Sequence, residues 1–425
     1  MIRNMFENKV NAFTLGTVVI LFPWLIVTLM RVFGPVTHVI VSVDLIIYLM
    51  CFVLITYASY FVGFFSINKK SKLLKVGGKL GASTGLVIQI RNLFFILLTI
   101  YVILAYIDFL IIKNGSFSGI VEQRESEHLS GPRNSIIGLL IFFLSGTPPI
   151  FASILFYTKC ENRKAKLFYY TLVFLGFAAM FLSGGRNAFF ISTIYCLSFI
   201  MVYKVRNKNN GINLKKLCVF ITIFIGVLYS LSMFLTRFEV QGLDVHIMLD
   251  YLEREYNLLI YRIPGLPIEL QPIYSVFVYL SFYVTHPFTY LNDYFELAYS
   301  PYLMGGYNFY IIVRMIDVLF GTQFYQTGSE LILQSGVYLT FPGTLFLDFG
   351  YIGGLLVGAL FGFSYGFLTR RLGSSVISSK LWFAFITVIM IFSPIYSVIG
   401  MANGWSLLFL ITCTTFLSLR VRQRD

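Results

Sequence analysis

Long apolar runs separated by short cationic stretches dominate the chain, and about twenty apolar residues suffice to carry a helix across a bilayer. Ten runs meet or approach that length: 11–33, 40–65, 92–112, 136–158, 167–182, 188–203, 217–235, 346–368, 381–399 and 402–419. Between the seventh and eighth runs, over 236–347, the pattern changes. There Met248, Leu252, Tyr256, Leu259 and Ile263 recur at spacings of three and four, with Asp250, Glu253 and Arg254 opposite. That periodicity predicts an amphipathic helix lying along a membrane surface, ended by Pro264, Gly265 and Pro267. The stretch 273–285 is apolar but only thirteen residues long between Pro272 and Pro287, so it reads as re-entrant or interfacial rather than spanning. The pattern therefore predicts an all-α polytopic membrane protein, a single integral membrane domain over 1–425 with one large loop.

Two irregularities interrupt the runs. Thr147-Pro148-Pro149 breaks the fourth, and Ser183-Gly184-Gly185-Arg186-Asn187 joins two short ones in a tight turn. In the eighth run Gly350, Gly354, Gly358, Gly362 and Gly366 repeat every fourth residue, a groove that lets another helix approach closely. Packing within the chain is the plain reading of that groove; a dimer or lipid-tail contact is the alternative.

Composition agrees with the pattern, since 57% hydrophobic and 12% charged residues are too apolar for a water-soluble globule. The formal charge of +13 is a matter of loop distribution rather than of nucleic-acid binding. With ten spans, Arg3 and Lys9 and the cationic loops at 69–79, 159–166, 204–216, 370–380 and 420–424 all share one side. By the positive-inside rule that side is cytoplasmic, with both termini inside and the 236–347 loop outside. Of the nineteen acidic residues, all but Glu7, Glu161 and Asp425 lie within spans or on the outer side. The N-terminal run has no small-x-small cleavage site and reads as an uncleaved span. The five cysteines offer no disulfide framework or zinc spacing, and the four histidines lie far apart, so no metal and no cofactor is expected. Gly77-Gly78-Lys79 lacks the Ser/Thr and strand context of a phosphate loop.

Candidate chemistry gathers on the outer side. Arg186 sits where two short helices meet; it either snorkels to headgroups or binds an anion, and a helix N-terminus preceded by glycines favours phosphate. Arg237 follows the seventh span and Arg262 precedes the proline-rich turn; their planar, permanently charged forks suit a diphosphate, or serve as interfacial charges. Arg254 and Arg314 are candidate substrate contacts, although Asp317, one turn from Arg314, offers a local ion pair. A hydroxyl nucleophile needs a base. His286, Asp293, Glu296, Glu330 and Asp348 are candidates, with a turn-capping role open for His286 and a helix-start role for Asp348. Tyr338 and its neighbouring tyrosines present flat faces with hydroxyl edges that fit sugar, or an interfacial aromatic belt. Asp44 and Asp108 lie inside spans, toward their outer ends.

With these residues in view, the chain resembles the bacterial Wzy-type O-antigen repeat-unit polymerases. The likeness rests on Ser183-Gly184-Gly185-Arg186-Asn187-Ala188-Phe189 opening a span and on Leu347-Asp348-Phe349-Gly350-Tyr351-Ile352-Gly353-Gly354 opening another, with Tyr338-Leu339-Thr340-Phe341 upstream, and spans roughly 167–370. The resemblance implies an inner-membrane, metal-independent glycosyltransferase. It would move a growing chain from undecaprenyl diphosphate to a fresh lipid-linked oligosaccharide repeat unit on the periplasmic face. Its implied partners are that lipid-linked oligosaccharide, membrane lipid and, as a candidate, a chain-length regulator protein. The family's periplasmic arginines map onto Arg186, Arg237 and Arg262. An O-antigen ligase and a lipid-linked oligosaccharide flippase stand as rivals; a flippase should carry its ionisable residues at mid-membrane depth, and here they crowd one face. A single cysteine placed near position 300 in the full chain is expected to react with a membrane-impermeant maleimide added outside intact spheroplasts; labelling only after lysis would overturn the topology.

Overall fold

The computed structural model describes residues 2–37, 41–66, 84–113, 115, 136–158, 162–182, 186–206, 249–250, 252–254, 258–267, 270–296, 303–324, 332–333, 338–372 and 376–422. In chain order its elements begin with α1 (Ile2–Phe33), β1 (Val36–Thr37), α2 (Val43–Phe65) and α3 (Thr84–Ile107), which runs into a π-helical turn at Asp108–Ile112. Next come α4 (Ile136–Leu144), α5 (Thr147–Tyr157), α6 (Arg163–Leu182), α7 (Arg186–Arg206) and β2 (Leu259–Ile260). The last are α8 (Gln271–Glu296), α9 (Tyr310–Phe320), α10 (Phe341–Arg370), α11 (Ile377–Phe392) and α12 (Ala402–Arg422). Among the described residues seven stretches are long and apolar enough to span, and Asn187–Met201 and Ile377–Phe392 are shorter apolar helices. The protein is thus an all-α, multi-pass membrane protein, as its hydropathy predicts. The predicted span 217–235 lies outside the described residues.

The chain divides into two compact units: Met1–Ile67, Phe238–Arg370 and Ile389–Met401 form the first, and Asn68–Arg237, Arg371–Val388 and Ala402–Asp425 the second. In the first, α2 lies along the glycine face of α10. A Cβ on Gly362 or Gly366 would come within 2.1 Å of the Thr56 or Tyr60 carbonyl oxygen, so main chain meets main chain there. The repeat is therefore an internal packing face. Tyr48 and Tyr60 of α2, both fully buried, donate to the carbonyls of Pro342 (2.8 Å) and Phe13 (2.9 Å). Gly350 does not belong to that face: at φ 71° and ψ −174° it breaks α10, a conformation that only glycine adopts cheaply. The helix begins at Phe341, ahead of the expected 346, because the Thr340 hydroxyl accepts from Gly343 N at 3.0 Å as an N-cap, with Pro342 in the first turn.

The large loop differs from its predicted outline in two places. The amphipathic helix predicted over 248–263 is helical at 249–250 and 252–254, but Leu259–Ile260 is instead a strand paired antiparallel with Val36–Thr37. The Glu253 carboxylate accepts from Ile260 N at 3.2 Å, which helps hold the chain out of the helix. The apolar stretch 273–285 is not a separate short element either; it is the first part of the 26-residue α8, which continues through Pro287. A proline removes the N–H that would reach the carbonyl of Tyr283. His286 compensates, its ring hydrogen-bonding back to the carbonyls of Phe282 and Tyr283.

In the second unit the predicted break in the fourth span is real: α4 ends at Leu144 and α5 starts at Thr147, with Pro148 and Pro149 in its first turn. Ser406 of α12 satisfies the backbone groups left at the break, accepting from Gly146 N (2.7 Å) and donating to the Phe143 carbonyl (2.7 Å). The predicted span 381–399, whose residues from 389 on belong to the first unit, is also corrected. Its helix is Ile377–Phe392, and 393–401 turns back, with Ser393 donating to the Met390 carbonyl at 2.8 Å.

Gly362→Ala drives a methyl into a backbone carbonyl and should cost about 1–3 kcal/mol. The melting temperature of the detergent-solubilised protein should fall by several degrees, whereas Leu360→Ala, on a lipid-facing position of the same helix, should leave it near wild type.

Candidate functional site

The sequence-predicted residues divide between the units, Asp108, Arg186 and Arg237 falling in the second and the rest in the first. Arg237 and Glu330 lie outside the described residues, as do the side chains of Arg186 and Arg314.

In the first unit Asp348 is wholly buried just before the Gly350 break. One carboxylate oxygen accepts from Tyr307 N (2.8 Å); the other accepts from Asn308 N (3.0 Å) and Asn308 Nδ2 (2.7 Å). Asn308 Oδ1 in turn accepts from Ser397 Oγ (2.6 Å) and Thr344 Oγ1 (3.2 Å). The main-chain carbonyls of Leu347 and Asp348, next to the break, accept from Leu303 N and Met304 N, both at 2.9 Å. Met304 holds φ 49°, strained for a side-chain-bearing residue, and these bonds fix it. Asp348 is thus a clamp on 303–309. Both of its oxygens are engaged by donors of that segment.

His286 is likewise enclosed. It is 6% exposed, stacked on Phe282 (5.0 Å) and flanked by Tyr283 and Tyr290. Burial pushes its pKa down to about 4, far below the operating range of a general base near neutrality. Asp293 and Glu296 lie exposed at the end of α8. Glu296 accepts from Asn292, whose Oδ1 holds Ser42 N at 2.6 Å. Partial burial, and then the Glu296 charge, raise the pKa of Asp293 above the usual carboxylate value.

Arg262 donates to Asp250 (2.6 Å) and Glu253 (2.8 Å), so its charge is already offset within the loop. Arg254 is exposed one residue beyond Glu253. Asp317 caps the end of α9, accepting from Thr322 Oγ1 (2.6 Å) and Phe324 N (2.9 Å). Sequence reasoning missed Arg31, in the last turn of α1, which donates to the Thr285 carbonyl at 3.3 Å and lies 5.6 Å over the Phe288 ring. Its signal was an arginine at the outer end of an otherwise uncharged run. Tyr338 forms part of the wall of a cavity of about 210 Å³, together with Tyr307, Tyr310 and Tyr396.

The second unit holds a cavity of about 260 Å³ lined by Tyr101, Ser145 and Asn403 and by Asp108 and Lys113. The last two form an ion pair at 3.2 Å, brought onto one face by the π-helical turn, in which Lys113 N bonds the Asp108 carbonyl. Leu182, the last residue of α6, and Ala188, near the start of α7, also line it. Lys113 is the second residue missed, its five-residue spacing from Asp108 being invisible to an α-helical reading.

A model of the O-antigen polysaccharide polymerase Wzy family matches residues 2–245, more than half of the 425 residues. The chain belongs to that family. No curated protein and no solved structure matches it. Membership makes the chain a multi-pass membrane polymerase of O-antigen type, a polysaccharide-building transferase. The match includes Arg186 and Arg237 and ends before α8; it overlaps the 167–370 likeness over 167–245, and the Leu347–Gly354 motif, which the clamp explains structurally, lies beyond it.

Asp348→Ala strands three buried N–H donors and should cost about 3 kcal/mol or more. Asn308→Ala should destabilise in the same assay, with the double variant less destabilised than the sum of the two. A stable but inactive Asp348→Ala would instead restore a catalytic role.

Proposed function

We propose that the protein polymerises undecaprenyl-diphosphate-linked oligosaccharide repeat units at the periplasmic face of the bacterial inner membrane, with both termini in the cytoplasm. The acceptor hydroxyl at the non-reducing end of a new unit attacks the anomeric carbon of the growing chain. The bond from that carbon to the phosphate oxygen breaks, the lipid diphosphate leaves with the electron pair, and the hydroxyl proton passes to a general base. No divalent metal is needed in this reading, because cationic side chains stabilise the departing diphosphate. A chain-length regulator is the protein partner it calls for.

The observation that carries the reading is the cavity of the second unit. Leu182 and Ala188, which flank Arg186 in the sequence, line it, and Lys113 stands in its wall, orientated by Asp108. An arginine that opens a helix and a lysine in the cavity wall are residue types suited to a diphosphate. Family membership supports the polymer-forming reaction; the diphosphate carrier and the roles of Arg186 and Lys113 are this proposal's own. The charge asymmetry of the loops supports the orientation.

Arg186→Ala, introduced into a deletion strain at matched protein abundance, should lower the polymerisation rate on the order of 10²-fold. The surface glycan should then collapse toward a single repeat unit. Arg186→Lys should retain short ladders, since it keeps the charge and loses the fork. Wild-type ladders from the Ala variant would remove Arg186 from the site.

A further inference from the structure

A transfer to a sugar hydroxyl needs a group that takes the hydroxyl proton. Most of the described carboxylates are committed elsewhere. Both Asp348 oxygens hold the backbone of 307–308, Asp250 and Glu253 hold Arg262, Asp317 caps α9, and Glu296 accepts from Asn292. Asp44 and Asp293 line neither of the two cavities. Asp108 differs from all of these. It lines the cavity of the second unit, and its one side-chain partner among the described residues is Lys113, at 3.2 Å. Its side chain keeps 13% of its surface exposed, so the carboxylate is reachable from the space it borders rather than sealed in the protein.

The local backbone is built to present this pair. In an α-helix Ile111 or Ile112 would stand beside Asp108, and the π-helical turn brings Lys113 there instead. An ionisable pair within a span is costly where apolar residues would pack as well, which marks the turn as serving something other than stability. A second polar group faces the same space. Asn403, in the first turn of α12, lines the cavity and is only half-buried, and its amide bonds no described residue. Ser145, by contrast, is already occupied, donating to the Phe142 carbonyl at 2.9 Å. The wall therefore offers a carboxylate that accepts a proton and an amide that can hold a hydroxyl.

We propose that Asp108 is the general base of the transfer, taking the proton of the acceptor hydroxyl while Asn403 holds that hydroxyl in place. The hydroxyl oxygen uses a lone pair to bond the anomeric carbon, and the bond from that carbon to the phosphate oxygen breaks with its electron pair leaving on the lipid diphosphate. The hydroxyl proton moves to the Asp108 carboxylate and passes to water as the products depart. Lys113 couples the two halves of the reaction. Before the donor binds, its ammonium engages the carboxylate. An arriving diphosphate competes for that ammonium and releases the carboxylate to the hydroxyl, so proton removal waits for the donor.

The inference rests on the polymerase reading of this cavity. Lipid-linked repeat units extracted from a polymerase-deletion strain are supplied to the purified full-length protein in detergent, and ladder growth is timed on gels. Asp108→Asn keeps the shape and an acceptor for Lys113, so its melting temperature should stay near wild type while the rate falls on the order of 10²-fold or more. Asp108→Ala should lose as much, and added formate, a carboxylate small enough for the space left, should recover several-fold of the rate. Nitrate at the same ionic strength pairs with an ammonium but takes no proton, and should recover nothing. Asn403→Ala should slow growth about 10-fold, with no response to formate. A wild-type rate from Asp108→Asn, equal recovery by nitrate and formate, or a folded Asp108→Ala protein that formate does not revive would each overturn the base. Ladders that need Arg186 but not Asp108 leave the polymerase reading standing without this base; no ladder from the wild-type protein removes both.

Discussion

One buried carboxylate organises the loop end of the first unit. Asp348 reaches across forty positions of sequence to the backbone of Tyr307 and Asn308, and the main chain on either side of it bonds to Leu303 and Met304. That reach depends on Gly350, because an unbroken helix would spend the carbonyls of Leu347 and Asp348 on its own next turn. Burying an ionised group is costly unless every lone pair finds a donor, and here the loop backbone supplies the donors. The loop owes its strained Met304 to the same contacts, so the shape of the tyrosine-lined cavity follows from a single side chain and a single glycine.

The spans were legible because a bilayer rewards length and apolarity, which a linear chain displays openly. The glycine face of α10 was legible as well, since a four-residue repeat of glycine has few uses other than close helix approach. What escaped was decided by contacts far apart in the chain. Pro287 reads as a terminator, yet α8 passes through it because His286 folds back on the exposed carbonyls. Leu259 and Ile260 carry a helical period, yet they pair with Val36 and Thr37, two hundred positions away. The start of α10 was within reach of local reading: Thr340 and Pro342 spell a cap.

Site residues were harder to read than spans, because arginine and aspartate look the same whether they meet each other or a substrate. Arg262 turned out to be held by Asp250 and Glu253 within its own loop, and Asp348 by backbone. Asp108 did prove to line a cavity, as an ionisable group inside a span suggests, but its partner Lys113 is reached only through a π turn that shifts the helical register by one residue. Near Arg186 the structure describes Leu182 and Ala188, both on the cavity wall.

The pairing of α2 with α10 bears on how the protein is made. The aromatic flank of α2 enters the bilayer with the first sixty-five residues, but the glycine groove it needs is not synthesised until 341–370. Nearly all of the second unit is translated in that interval, 68–237 as one uninterrupted segment. Domains that are continuous in sequence can fold as they emerge, whereas a contact spanning most of the chain must wait for its distal half. Tyr48 and Phe52 therefore wait for their α10 partners through much of translation, whereas Tyr60 already has Phe13 of α1, and a truncation that stops short of 341 leaves the first unit without its central helix pair.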